Sequence, residues 1–151
     1  MAWLVVRVRG TLHARRDIAE TLRCLHLTRA NHATIVPETP AFRGMLAKVQ
    51  GYVTWGEAEA SAVELLLRER GVAEDGRWLR EPAPDGSAGA DLSRLAAEAA
   101  AGGMGPLAGV RPLFRLKAPA GGWRSTKKPY RLGGALGYRG PAINDLARRM
   151  V

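Results

Sequence analysis

The densest chemistry in this sequence lies in residues 121–140, GGWRSTKKPYRLGGALGYRG. Arg124, Lys127, Lys128, Arg131 and Arg139 alternate there with Trp123 and Tyr130, and glycines at 121, 122, 133, 134, 137 and 140 space them. Cations neutralise phosphates, and aromatic or guanidinium planes stack on exposed bases. Glycine lets the backbone approach a phosphate or ribose closely. The pattern is that of a nucleic-acid surface. RNA is preferred over DNA because no helix carries a row of base-reading side chains suited to a major groove. The plainer alternative, a solvated basic tail without a specific partner, fits less well because the segment is not low-complexity.

A second cluster is Thr39-Pro40-Ala41-Phe42-Arg43-Gly44-Met45, continuing to Lys48. Thr39 can cap a helix with Pro40 in its first position, and a helix N-terminus offers free N–H groups and a positive dipole end to a phosphate. Arg43 and Lys48 add charge from nearby turns. Two readings stand side by side: a phosphate site, or a surface arginine above core residues Phe42 and Met45. Enzymatic constellations are poorly represented. No nucleophile–base pair, paired-carboxylate motif or Walker-type GxxxxGK[ST] occurs, and GGALGYRG follows no strand–turn–helix context. VVRVRG followed by Arg15 and Arg16, with Asn31 as a nominal amide, weakly resembles the phosphate cradle of acylphosphatases. The glycine-rich loop that chemistry requires is absent, since TLHARRD has no glycine after Gly10.

The net charge of +9 is unevenly placed. Residues 1–56 carry eight basic and three acidic side chains, residues 57–110 five and ten, and residues 111–151 ten and one. A polyanion gains most from charge clustered in this way, because each neutralised phosphate releases counterions. The acidic middle is expected to face away from such a partner. Cys24, the single cysteine, excludes an intramolecular disulfide or a multi-thiolate zinc site and reads as a small buried residue on a helix. His13, His26 and His32 lack helical i, i+4 spacing, so no metal site is expected. No apolar run approaches a membrane span, and MAWLVVRVRG reads as a strand rather than a secretory signal, which makes the cytoplasm the expected compartment.

Several elements must position these groups. AWLVVRVR (2–9) reads as a strand with one face buried, Val6 and Val8 pointing one way and Arg7 and Arg9 the other. Ile18, Leu22 and Leu25 form the stripe of an amphipathic helix of about eleven residues. HATIV (32–36) and GYVTW (51–55) read as strands, with the Thr39-capped helix between them. Residues 57–70 read as a helix with Ala58, Ala62, Leu65 and Leu66 on one face, ended by Gly71. This alternation makes a two-layer α/β domain with helices over one face of a small sheet. Trp78 is expected to anchor the chain beyond it. Residues 81–90 form a turn-rich connection and 91–101 an alanine-rich helix with Leu92 and Leu95 inward. LFRLK (113–117) is strand-like. A last helix from Pro141 carries Ile143, Leu146, Ala147 and Met150 as one stripe. It ties the basic segment back to the body as a tethered loop, mobile when free and ordered on RNA because its charges repel one another.

Residues 31–57, NHATIVPETPAFRGMLAKVQGYVTWGE, resemble the signature of the large-subunit ribosomal protein thirty family, called protein seven in eukaryotic ribosomes, with TPAFRGM as the most specific part. Residues 114–140, with the closing INDLARRM, resemble the C-terminal extension of the archaeal and eukaryotic branch. A start at the first strand, without a long basic N-terminal arm, looks archaeal. The resemblance covers nearly the whole chain and is weakest over residues 72–105. It implies an α/β (α+β) two-layer sandwich: a ferredoxin-like β-α-β-α-β core with a small antiparallel sheet at 1–71, an acidic helical middle at 72–110, and a basic extension at 111–151. It implies a structural role in the large ribosomal subunit, on the large ribosomal RNA, with 5S RNA and other ribosomal proteins nearby. No catalysis, cofactor, metal, membrane or small-molecule substrate is implied. Carried over by position, the RNA-facing residues are Thr39, Arg43, Gly44, Lys48, Lys117, Arg124, Lys127, Lys128, Arg131 and Arg139. A stand-alone RNA chaperone or regulator on the same fold is the alternative.

Overall fold

The computed structural model describes residues 2–10, 12, 14–74, 76–79, 92–103 and 110–151. The turn-rich connection expected at 81–90 lies outside them, as do His13 and Asp91. The elements run β1 (Ala2–Arg7), α1 (Arg16–Cys24), β2 (His32–Pro37), α2 (Pro40–Lys48), β3 (Val53–Glu57), α3 (Ala60–Arg70), α4 (Leu92–Gly102), β4 (Phe114–Arg115), β5 (Ser125–Pro129), β6 (Gly134–Tyr138) and α5 (Ala142–Met150), with a short 3-10 turn at Tyr130–Leu132 between β5 and β6. The strands form one sheet in the order β4-β2-β1-β3-β6-β5. The pairs among β4, β2, β1 and β3 are antiparallel, as expected, whereas β6 joins β3 and β5 in parallel. The α/β sandwich is therefore present, with a mixed sheet that the C-terminal segment extends.

The helices lie on both faces of the sheet rather than one. Ala2, Leu4 and Val6 pack with α3, α4 and α5, while Trp3 and Val5 pack with Leu22, Leu25 and Leu27 and with Leu46 of α2. Every residue of β1 is buried, so the expectation of one solvated face fails. Arg7 explains how a charged residue fits there. It is 1% exposed, and its guanidinium donates to the carbonyls of Leu27 (2.7 Å) and Arg9 (2.8 Å). A buried cation is tolerable when acceptors replace its water. Arg7 is thus held inside by two main-chain acceptors, its second terminal nitrogen buried without a partner, and is not available to a surface phosphate.

Other local readings hold or shift for identifiable reasons. Thr39 caps α2 by accepting from Phe42 N, with Pro40 in the first turn. The α1 stripe holds, but Cys24 is exposed and Leu25 takes the buried place after the helix end. Leu79, not Trp78, is buried beyond α3, because a Cβ on Gly71 would strike the Leu67 carbonyl and the chain turns there to bring Leu79 inward. In α5, Ile143, Leu146, Ala147 and Met150 are all buried, as the stripe predicts. Asn144, buried beside them, accepts from Glu59 N (2.9 Å) and donates to Glu57 O (2.9 Å). The side chain thereby ties the start of α3 to a distant helix by satisfying the N–H of its N-cap residue, Glu59. No helix among the described residues is long and apolar enough to cross a membrane.

Candidate nucleic-acid interface

The basic segment expected to be a loop is instead the edge of the sheet. β6 is held on β3 with Thr54 opposite Gly137 and Trp55 opposite Tyr138. Gly134, Ala135 and Leu136 are buried, and a Cβ on Gly134 would run into the Lys128 carbonyl, so glycine is what lets β6 lie against β5. β5 is the outermost strand, and both of its lysines, Lys127 and Lys128, are exposed. Lysines on an edge strand also oppose unwanted strand pairing.

Arg139 follows β6 and is the best-held cation of the segment. It is 9% exposed. Its Nε donates to the Thr54 hydroxyl (2.8 Å) and one terminal nitrogen to the Ala135 carbonyl (2.8 Å). Thr54 in turn donates to Gly137 O (2.7 Å), so the hydroxyl serves both strands. The guanidinium lies 4.7 Å from the centre of the Tyr130 ring, within cation–π range. Burial, with the neighbouring charges of Arg149 and Arg124, holds its pKa below the usual arginine range, while Tyr130 acts in the opposite direction. Arg124, Arg139 and Arg149 converge on a cavity of about 330 Å³, walled by Trp123 and Tyr130. Asp145 also lines it but is bound to Arg148 at 3.0 Å. Among the described residues, neither Arg124 nor Arg149 has an ion-pair partner. Three guanidiniums around one opening, with the acid engaged elsewhere, suit a phosphate.

The α2 group is built differently. Thr39 is half-buried at the cap, and Arg43, Gly44 and Lys48 are exposed. Arg43 lies 5.8 Å from the Trp3 ring centre and Lys48 3.9 Å from an Asp17 carboxylate oxygen. Arg15 bonds both Asp17 carboxylate oxygens and keeps the carboxyl pKa below its ordinary value. Lys117 is exposed near the end of α5, its backbone N–H donating to Met150 O. Arg131 is exposed in the 3-10 turn. The structure therefore brings Arg124 and Arg139 together, groups Lys127 with Arg131 along a neighbouring cleft, and leaves Thr39, Arg43, Gly44 and Lys48 as a separate patch on α2.

Comparison with known sequences bears on the assignment. The family model described as ribosomal protein L30p/L7e matches residues 3–53. A large ribosomal subunit protein uL30 from Methanopyrus kandleri is 42% identical over 95% of this chain and 100% of its own length. Proteins of the same name from Methanosphaera stadtmanae and Thermoplasma acidophilum are 37% and 39% identical, over 99% and 97% of this chain and 99% and 91% of their own. The chain belongs to the L30p/L7e family. The L30p/L7e resemblance seen in the TPAFRGM block and the C-terminal segment is therefore correct, and the relatives span the archaeal-type extension at full length. L30p/L7e proteins are structural rather than enzymatic. Two basic residues of this L30p/L7e chain escaped the sequence reading. Arg149 sits in the closing helix, whose sequence is dominated by its apolar stripe, although i, i+3 geometry sets it beside Leu146 of that stripe. Arg9, stacked 5.3 Å from the Tyr52 ring centre, was grouped with Arg7 although only Arg7 is buried.

Proposed function

We propose that this chain is a structural component of the large ribosomal subunit, cytoplasmic with it, that binds the large ribosomal RNA and stabilises its fold, with 5S RNA and other ribosomal proteins as neighbours. The observation that carries this reading is the convergence of Arg124, Arg139 and Arg149 on one cavity, in a chain that matches large-subunit proteins over nearly its full length. A folded RNA junction crowds phosphates together, and guanidiniums gathered at one opening, with Arg139 already fixed there, lower that repulsion. The RNA-facing set is Arg124, Lys127, Lys128, Arg131 and Arg139 on the C-terminal edge, Lys117 near it, and Thr39, Arg43, Gly44 and Lys48 on α2. We divide the chain by role into the core at 1–71, the acidic middle at 72–110 and the basic extension at 111–151. The middle is the part turned from RNA.

Sedimentation of ribosomes carrying a tagged copy tests this role. The chain should co-migrate with the large subunit at one copy per particle and stay bound through washes of moderate salt. Recovery mainly in light fractions, at less than one copy per subunit, would instead fit a free-standing RNA chaperone.

A further inference from the structure

The C-terminal edge encloses a second opening, larger than the arginine cavity and separate from it. It is a cleft of about 670 Å³ between Gln50-Gly51, just past α2, and the β5–β6 edge, lined by Trp55, Tyr130 and Tyr138, with Lys127 and Arg131 among its walls. Its volume is that of a small-molecule site. Its aromatic groups are unusually open: Tyr138 is 53% and Tyr130 39% exposed. Tyr130 also lines the arginine cavity, and Arg139 lies against its ring there. Tyr130 is therefore a partition, with a guanidinium on one side and the cleft on the other. Tyr138 is fixed by donating its hydroxyl to the Glu57 carboxylate, and it meets Trp55 at 6.4 Å between ring centres with a tilt of 53°. The rings are thus held in place before any ligand arrives, so stacking on them costs little side-chain entropy.

We infer that this cleft receives an unpaired nucleobase of the bound RNA, stacked on Tyr138 or Tyr130, while Lys127 and Arg131 hold the flanking phosphates. The inference rests on the RNA-binding reading and adds a base-contacting element to it. Aromatic faces bordered by cations match a base and its backbone, since every base presents a π face and every linkage a negative charge. An apolar protein side chain would find the aromatic walls but leave the two cations unpaired.

The test compares the affinity of the full chain for a single-stranded oligouridine with that for an abasic RNA backbone of equal length and charge. The wild type should prefer the base-bearing strand by about fivefold or more. Tyr138→Ala and Tyr130→Ala should each reduce the preference, whereas Tyr138→Phe, which keeps the ring, should retain it. Lys127→Ala with Arg131→Ala should weaken both strands alike and flatten the salt dependence. Equal affinity of the wild type for the two strands, or a preference intact in both alanine variants with unchanged circular dichroism, overturns the cleft assignment alone. Failure of both strands to bind at low salt overturns the RNA-binding reading with it.

Discussion

The two basic surfaces of this chain differ in how their charges are held. On α2, Arg43 and Lys48 stand on an exposed helix, one over Trp3 and the other near Asp17. On the C-terminal edge, Arg139 is buried and bonded to Thr54 and Ala135, and two further guanidiniums share its cavity. A free arginine or lysine gives up about 2 kcal/mol of rotamer entropy when fixed by a ligand. Arg139 has already lost that freedom on folding. The edge is thus preformed at Arg139, around which the exposed Arg124 and Arg149 can close on a ligand, whereas the α2 patch has no buried cation and is ordered only on binding. Preset charge discriminates geometry; mobile charge adds affinity with less regard to shape.

Substitutions should separate the two surfaces. The largest effect is expected for Arg139→Ala, which leaves the Ala135 carbonyl without its donor and removes packing from Tyr130. A stability loss of about 2 kcal/mol or more in denaturant unfolding, together with weaker RNA binding, is the expected outcome. Unchanged stability would mean that Arg139 is not structurally held. Arg124→Glu with Arg149→Glu should keep the unfolding midpoint and lower affinity for large-subunit RNA by about tenfold or more, since two cations are lost and two anions added. Reversing Lys127 and Lys128 on the exposed edge strand should act in the same direction more weakly, again without unfolding. The smallest loss is expected for Arg43→Glu, a single exposed charge on an adjustable patch. An Arg43 effect larger than that of the arginine cavity would invert the comparison. Hydrogen exchange on the free protein sharpens it further. Amides of buried Ala135 and Leu136 should be protected, while those of exposed Arg131 and Leu132 exchange quickly. Uniformly fast exchange across both would restore the loop that the sequence suggests.

Much of the fold is legible in the residues because local signals agree with tertiary demands. The Thr39-Pro40 cap, the α1 stripe and the α5 stripe each combine period and punctuation. β5 and β6 were hidden for a physical reason. STKKP and GALGY carry charge and glycine where strands favour β-branched residues; β6 becomes a strand through parallel pairing with β3, some eighty residues away, and β5 through pairing with β6. Arg7 shows the same limit. Alternation points it outward, yet the helices on the far face need that side of β1, and the Leu27 carbonyl makes its burial tolerable. Among the site residues, charge and glycine marked Arg124 and Arg139 in the sequence, but Arg149 joins them only once α5 packs back against α3 and β3.

The central claim is that the C-terminal edge grips phosphate with Arg124 and Arg149 set around the fixed Arg139, and the salt dependence of RNA binding tests it most directly. Affinity for a large-subunit RNA fragment should fall steeply as salt rises, and the slope of log affinity against log salt should become shallower by roughly 0.7–0.9 for each phosphate contact removed. Arg124→Ala with Arg149→Ala should therefore flatten the slope by about 1.4–1.8 relative to the wild type. A slope unchanged by the pair, or a wild-type affinity insensitive to salt, would contradict the account.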